Sequence, residues 1–586
     1  MDRFNLKLFR RLWAIAKPYW FGEEKWIARG LLLLLVLLLL AYTGLSVVLN
    51  TERGALISAL SARDEPRFSQ TVLILVEVLV VYAPILGGYS YLQDRLGILW
   101  RRWLTNSFLD NYCSNRAFYN LNSLSAEIDN PDQRIAEDVR SFTHDSLKFL
   151  LIFVESILKV IAFSGVLWGI SRTLVIFLVV YALAGTFFAT AVFGRPLVRL
   201  NFEQLKKEAN FRFGLIRIRE NAESIAFYRG EEQESNQVKH RFREAFDNFK
   251  QLILWELNLN VLTNAYEFIP LIIPALVVAP SVFSGEIEVG KVTEAQGAFF
   301  RVFFSLNVIV SRLQSLANFG AGIDRLYGFA EYLEHPIAAQ AEEQDDQTPT
   351  INTVEDSCLA IEHLTLQTPN YQRILIKDLS VELPSGQGLL IVGPSGCGKS
   401  SLLRAIAGLW NAGTGAILRP KLDQMLFLPQ RPYMILGTLR DELLYPNTDA
   451  EIEDKELKQV LQQVNLKDLD ERFGGFDVEH DWASVLSLGE QQRVTFARIL
   501  LNKPAYAILD EATSALDVKN EEGLYRHLQA TGTTFISVGH RPILVNYHQF
   551  VLELSEDQKW QLKQPEIVQV LPGNNTGPQA DRAAKM

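Results

Sequence analysis

The chain has 586 residues and a net charge of −10, and 48% of its residues are hydrophobic although 21% are charged. Its mean hydropathy of +0.07 is high for a soluble protein. Because the long apolar runs end near residue 335, the sequence predicts a membrane half followed by a soluble half. The acidic balance and the lack of a basic tail argue against a nucleic-acid partner. The three cysteines have the spacing of neither a metal site nor a disulfide framework.

Six apolar segments in residues 1–335 are long enough to cross a bilayer as helices. They are 27–49, 71–93, 149–170, 173–194, 259–283 and 293–318. Lys and Arg are concentrated in residues 1–26, 95–148 and 195–258, so the positive-inside rule places these segments and both termini in the cytoplasm. The segments 95–148 and 195–258 are too polar for lipid, and each is predicted to form two helical extensions joined by a turn; a small independent domain is the alternative.

Ionisable side chains inside the predicted spans are candidates for a substrate path, because charges are costly in lipid. Arg301 and Arg312 are three helical turns apart, so they would form a cationic stripe suited to the acidic head of an amphiphile. Glu155 and Lys159 are four residues apart and could simply pair with each other. The other candidates are Glu77 and Glu267, and the phenylalanines that could take an acyl chain or merely pack are Phe299, Phe300, Phe303, Phe304 and Phe319.

The soluble half is predicted to follow a polar, acidic linker at residues 336–357. Short apolar strands then alternate with helical stretches, which predicts an α/β domain over residues 358–570. The last residues, 571–586, are polar and are predicted to be disordered.

Residues 393–400 form a glycine-rich turn between a buried strand and a helical stretch. Such a turn directs backbone N–H groups and a helix N-terminus at phosphate oxygens. Lys399 can reach the β- and γ-phosphates, and the Ser400 hydroxyl can bind Mg²⁺, which predicts a nucleoside-triphosphate site. The turn and the residue after it are Gly393, Pro394, Ser395, Gly396, Cys397, Gly398, Lys399, Ser400 and Ser401.

Polar side chains follow three further apolar strands, where they could orient a water and balance charge during phosphoryl transfer. Gln430 could reach Mg²⁺ or the attacking water. Asp510 is predicted to hold the Mg²⁺ shell and Glu511 to polarise the water. His540 could contact the γ-phosphate. A solvated amide, a helix cap or a structural histidine would explain each residue alone, but their fixed order favours the catalytic interpretation.

A second phosphate-binding turn is predicted at residues 486–493, where a serine and a glycine open a helix. Ser487, Gly489 and Glu490 are its candidate contacts, and Asp517 follows on a later turn.

This set of motifs resembles that of the ATP-binding-cassette family, and the resemblance covers nearly the whole chain. It implies a six-helix membrane domain of the exporter-type fold plus a cytoplasmic α/β P-loop nucleotide-binding domain, with ATP and Mg²⁺ as cofactors and ATP hydrolysis coupled to transport. The family pattern assigns Walker A to Gly393–Ser400, the Q-loop to Gln430, the signature to Ser487–Glu490, Walker B to Asp510, the catalytic glutamate to Glu511, the D-loop to Asp517 and the switch histidine to His540.

The chain departs from the family pattern at three points. Leu488 stands where the signature usually has glycine, and Glu490 stands where glutamine is commoner. The aromatic residue that stacks on the adenine base is open, because Tyr371 is the nearest aromatic whereas Thr368 lies closer to the expected offset.

The segments Asn130–Ile135 and Asn221–Gly230 look like those of subfamily D half-transporters and their bacterial relatives. One chain carries one Walker A and one signature, so the resemblance implies a homodimer with two ATP sites. Its substrate would be an amphipathic small molecule, a long-chain fatty acid or acyl-CoA being the first choice and cobalamin or a peptide the alternatives. The expected location is the bacterial inner membrane, or else an organelle membrane; an ATP-gated channel is a further alternative.

Overall fold

The computed structural model of the protein describes residues 6–124, 128, 131–308, 312–334 and 349–564. Contacts within the chain divide it into two units, Met1–Glu343 and Gln344–Met586. The first unit is helical, and all strands of the described residues belong to the second. The boundary lies close to the change in composition that the sequence shows near residue 335.

Among the described residues of the first unit, five helices are long and apolar enough to cross a membrane. They are Lys25–Ala62, Glu65–Cys113, Pro131–Ile170, Arg172–Glu220 and Glu231–Phe283. Glu231–Phe283 has 53 residues and would span roughly 80 Å, against about 30 Å for the hydrocarbon core, so it extends well beyond the lipid. The other helices described here are Leu6–Phe21, Ala117–Leu124, Ala222–Tyr228, Gly290–Leu306 and Leu313–Glu334.

The sixth predicted span, 293–318, differs from the expectation of one continuous helix. The helix Gly290–Leu306 has 17 residues, Val308 is again helical, and Arg312 lies in a turn directly before the helix Leu313–Glu334; residues 309–311 lie outside the described residues. Asn307 ends the first helix, because its side chain donates to Phe303 O and accepts a hydrogen bond from Thr186 Oγ1, and such local bonds compete with helical geometry. Arg301 therefore lies in a helix and Arg312 in a turn, so the described residues do not show the uninterrupted helix on which the predicted cationic stripe depends.

The charged candidates within the spans have different surroundings. Arg301 donates to Ser46 Oγ at 3.2 Å and lies over the Phe163 ring, whereas Arg312 is exposed. Glu155 and Lys159 form an ion pair of 2.5 Å, as their spacing predicted. Of the five phenylalanines, Phe299, Phe303 and Phe319 are buried in the packing between helices.

The membrane helices pack through narrow stripes. Buried residues of Lys25–Ala62 recur every three or four positions, at Leu35, Leu39, Thr43, Ser46 and Asn50. That spacing places them on one helix face, which packs on neighbouring helices. The leucines between them are largely exposed, as expected for side chains that face lipid.

The second unit contains three sheets with twelve strands among the described residues. The strands are β1 Asn352–Glu355, β2 Leu359–Gln367, β3 Ile374–Leu383, β4 Gly388–Val392, β5 Gly413–Arg419, β6 Met425–Leu428, β7 Leu436–Thr438, β8 Glu479–Asp481, β9 Tyr506–Asp510, β10 Thr534–Val538, β11 Phe550–Leu554 and β12 Trp560–Lys563. The sheets have the orders β12-β11-β4-β10-β9-β6, β1-β5-β2-β3 and β7-β8. Strand β1 pairs in parallel with β5, so part of the segment predicted as a linker belongs to a sheet.

Helices cover both faces of the six-stranded sheet. Alternate residues of β9 enter different buried clusters, Ala507 and Leu509 on one face and Ile508 on the other. The α-helices of this unit are Lys399–Ile406, Leu439–Leu444, Asp454–Gln463, Leu469–Arg472, Trp482–Val485, Leu488–Asn502 and Val518–Ala530. Strands β11, β4, β10, β9 and β6 are parallel neighbours, so their carboxyl ends meet at one edge.

Candidate nucleotide-binding and hydrolysis site

The glycine-rich turn leaves the end of β4 in a conformation that requires glycine. Gly393 has φ of 150°, and a Cβ there would lie 2.4 Å from Leu554 O. Gly398 has φ of 103° and stands directly before the helix Lys399–Ile406. Because positive φ costs side-chain-bearing residues energy, these two glycines let the turn curl back over the helix N-terminus. Among the residues of the turn, Cys397 is a buried free thiol, whereas Pro394, Ser395 and Gly396 are exposed.

Lys399 is buried, and its ammonium group is held inside the turn. Its Nζ donates to Gly393 O and to Pro394 O, both at 2.9 Å. These are weak neutral acceptors for a full charge, so a phosphate could replace them and form a charge-assisted bond. The positive charge is thus already positioned for an incoming phosphate.

Ser400 and Asp510 present oxygen atoms to the same point. Ser400 Oγ donates to Asp510 Oδ1 at 3.1 Å. Burial raises the pKa of the Asp510 carboxyl, and the hydrogen bond from Ser400 opposes that rise. Among the described residues, no group of three or more His, Cys, Asp or Glu side chains could hold a metal. One carboxylate and one hydroxyl still suit Mg²⁺, because this ion usually takes its remaining ligands from phosphates and water.

The Glu511 carboxylate is held by two side chains from neighbouring strand ends. Gln430 Nε2 donates to Glu511 Oε2 at 2.9 Å, and His540 Nε2 lies 3.1 Å from Oε1. Glu511 has φ of 48°, a strained value for a glutamate, and its N–H donates to Val538 O. The residues predicted from three separate motifs therefore meet on one carboxylate at the carboxyl edge of the sheet.

The second predicted turn is closed by a capping box at the start of Leu488–Asn502. Ser487 Oγ accepts from Glu490 N, and Ser487 N donates to Glu490 Oε2 at 2.9 Å. Arg472 lies 2.7 Å from Glu490 Oε1. Partial burial would raise the pKa of Glu490, but the hydrogen bonds from Ser487 and Arg472 outweigh it and lower the pKa. Leu488, at the position where glycine was expected, is 48% exposed, and Gly489 is half-buried.

The predicted residues fall into two groups within one chain. The turn 393–401, Gln430, Asp510, Glu511 and His540 lie at one edge of the sheet. In the part of the chain that the structure describes, no hydrogen bond joins the residues Ser487–Glu490 to that group.

Among the described residues, Asp517 and Tyr371 make no hydrogen bond to either group. Asp517 caps the helix Val518–Ala530 by accepting from Asn520 N at 2.9 Å. Tyr371 adopts φ of 55° in a turn after β2, where its N–H donates to Thr368 O. Its ring makes no aromatic contact among the described residues, so the choice between Tyr371 and Thr368 stays open.

Two further residues, Gln492 and Arg541, connect the motifs. Gln492 Nε2 donates to Ser514 Oγ, and its Oε1 accepts from Ala515 N at 2.9 Å. Arg541 donates to Glu521 Oε2 at 3.0 Å and to Ser514 O. Gln492 belongs to the predicted turn at 486–493, and Arg541 directly follows His540. The sequence alone does not indicate that both contact the turn at 514–517.

Comparison with known proteins agrees with this geometry. Residues 15–283 match the family described as ABC transporter transmembrane region 2, and residues 376–514 match the family described as ABC transporter. The chain is 47% identical to an uncharacterized ABC transporter ATP-binding protein of Synechocystis, over 92% of this chain and 82% of that protein. It is 39% identical to the chloroplastic ABC transporter D family member 2 of Arabidopsis thaliana, over 94% of this chain and 86% of that protein.

The chain belongs to the ATP-binding-cassette transporters of subfamily D. A third relative, the lysosomal cobalamin transporter of Mus musculus, is 32% identical over 96% of this chain and 97% of that protein. The resemblance seen in the sequence is thereby confirmed, as are the fold class and an activity as an ATP-driven membrane transporter. The transporter binds ATP through its nucleotide-binding domain and spans the membrane with its first unit.

Proposed function

We propose that two copies of this chain form a homodimeric transporter in which each ATP is bound between the Walker A of one copy and the signature of the other. The observation that carries the proposal is the grouping of site residues within one chain. The Walker A turn, Asp510, Glu511, Gln430 and His540 form one half-site, and Ser487–Glu490 stands apart with no hydrogen bond to it among the described residues. A second chain would complete both sites.

Each half-site residue has a separate part in hydrolysis. Lys399 exchanges its carbonyl acceptors for phosphate oxygens and draws the triphosphate onto the turn. Glu511, held by Gln430 and His540, accepts a hydrogen bond from the attacking water and orients it. Ser400 and Asp510 would hold Mg²⁺, which neutralises charge on the β- and γ-phosphate oxygens. Ser487 and Gly489 offer backbone N–H groups to the nucleotide from the opposite chain.

We further propose that the transported substrate is an amphipathic small molecule. A fatty acid or acyl-CoA is the first candidate from the family resemblance, and the helix end at Leu306 removes only the further support of Arg301 and Arg312 on one continuous helix. Cobalamin is the second candidate, because a relative matched over nearly its full length is a lysosomal cobalamin transporter. The bacterial inner membrane is the proposed location, given the cyanobacterial and Haemophilus influenzae relatives.

The test is substrate-stimulated ATP hydrolysis by purified dimer in nanodiscs, with acyl-CoAs, fatty acids, cobalamin and basic peptides as separate arms. Crosslinking between Cys-substituted Ser487 and Ser395 would report the head-to-tail ATP sites directly. We expect the crosslink to form between chains only when ATP is bound. A crosslink within one chain, or a monomer in the presence of ATP, would overturn the homodimeric arrangement.

A further inference from the structure

The first unit contains a cavity of about 620 Å³ within the membrane helices. Its walls come from Arg172–Glu220 and Glu231–Phe283, and Phe303, Phe304 and Asn307 close one side. Most of the lining is apolar, as expected for a site that takes a small amphipathic molecule. A smaller cavity of about 220 Å³ shares Glu267 and Phe304 with it.

One wall of the cavity carries a polar stripe along the helix Glu231–Phe283. Glu256, Asn260, Thr263 and Glu267 all line the cavity, and their spacings of four, three and four residues place them on one helix face. In the described residues, neither the Glu256 nor the Glu267 side chain has a hydrogen-bond or ion-pair partner. Two carboxylates without partners in the described residues thus border a space whose lining is mostly apolar.

The opposite wall departs from regular α-helix. Residues Thr190–Gly194 form a π-helical turn, and three of them, Thr190, Phe193 and Gly194, line the cavity. Such turns are rare and frequently occur at functional sites. Near this turn, Tyr181 and Tyr266 donate to each other's backbone oxygen at 2.8 and 2.9 Å, which fastens the two helices on one side of the cavity.

The charge of the lining is negative, because the described residues that form it include two glutamates and no lysine or arginine. Glu267 lies inside predicted span five, where an unpaired carboxylate is expensive, and Glu256 lies three residues before that span; such groups normally pair or serve a transported species. An acidic head group would place like charges together, whereas a cationic one would supply the missing partners. The two candidate arginines do not alter this, since Arg301 bonds Ser46 and neither arginine lines the cavity.

We infer that this cavity binds an amphiphile whose polar end is a cation, with Glu267 and Glu256 as its charge partners and the phenylalanines around Phe304 receiving its apolar part. The inference rests on the proposed transport function and names the substrate class for it. It places the charged end on the stripe of Glu231–Phe283 and the apolar end towards Phe188 and Phe304.

The experiment measures binding without nucleotide, so that its failure is separate from a failure of ATP-driven transport. Purified full-length dimer in phosphatidylglycerol nanodiscs, which contain no amine lipid, is titrated with a long-chain amine, alcohol and carboxylic acid of equal chain length. The proteins are wild type, Glu267→Gln, Glu256→Gln and the control Glu244→Gln. Glu244 is exposed on the same helix and lines neither cavity, so this control changes the helix charge equally.

We expect the amine to bind wild type at least about tenfold more tightly than the alcohol or the acid, the loss of one charge-assisted bond being of that order. Glu267→Gln should reduce amine affinity by about tenfold and leave alcohol affinity unchanged, and Glu244→Gln should change neither. Tighter binding of the acid, or equal loss of amine and alcohol affinity in Glu267→Gln, would overturn the inference. Dissociation of the dimer in Glu267→Gln would also overturn it, by showing that the carboxylate pairs with the second chain.

Discussion

The nucleotide site and the membrane cavity of this transporter differ in whether their charged side chains have partners within the described residues. At the nucleotide site, Glu511 is held by two side chains and Lys399 by two carbonyl oxygens. In the cavity, Glu256 and Glu267 lack hydrogen-bond and ion-pair partners among the described residues. The side chains of the candidate hydrolytic half-site are therefore paired within the chain, whereas the two cavity carboxylates are not paired in the part of the chain that the structure describes.

The largest effect is expected from removing the charge of Glu511, which lies at the centre of the half-site. Glu511→Gln should lower ATP hydrolysis by about 10²- to 10⁴-fold, because an amide cannot accept a proton from water as a carboxylate does. ATP binding should persist, since Lys399 and the Walker A turn are untouched. The matched control is Glu556→Gln, at an exposed position between β11 and β12. Hydrolysis near the wild-type rate in Glu511→Gln would show that another group activates the water.

A second prediction concerns a buried ion pair of the nucleotide-binding domain. Arg498 and Glu442 form a buried ion pair, and Arg498 Nε also donates to Glu442 O at 2.9 Å. Glu442→Ala should destabilise the nucleotide-binding domain by roughly 3–5 kcal/mol, because the Arg498 charge is left buried without its partner. Chemical denaturation of the full chain measures the loss. The double variant Glu442→Leu with Arg498→Met should recover much of it; no recovery would mean that packing, not charge, sets the cost.

A third prediction concerns pH. Burial lowers the pKa of His548 to about 4 although its ring donates to Leu544 O. Because an unfolded histidine has a pKa near 6.5, the folded domain is stable above that value and loses stability as pH falls towards 4. Thermal melts across this window should show the loss, and His548→Gln should reduce it.

The smallest expected effect lies at the signature. Glu490→Gln restores the family's commoner residue and keeps one acceptor for Ser487 N, while it removes the charge paired with Arg472. Such a partly exposed ion pair is worth about 0–1 kcal/mol, so the ATPase rate should change by only about twofold. A change of a hundredfold in hydrolysis would indicate that the Glu490 charge acts on the nucleotide itself.

The sequence predicted the nucleotide site better than the membrane cavity for a physical reason. Gly393, Asp510 and His540 each follow an apolar strand, and neighbouring parallel strands bring such positions to one edge. The cavity depends on how three helices pack and on the helix end at Asn307, which hydropathy does not encode. Glu256 is not among the candidates from the sequence because span five is predicted to begin at residue 259, and the contact of Arg301 with Ser46 joins residues too distant in sequence for spacing to indicate it.

The most direct test of the account is ATP-dependent accumulation of the long-chain amine inside sealed proteoliposomes against its own gradient. Wild-type dimer should take up or extrude the amine against its gradient, Glu511→Gln should abolish this movement, and Glu267→Gln should markedly reduce it with ATP binding intact. Equal transport of the amine by wild type and Glu511→Gln would contradict a movement driven by hydrolysis at this site.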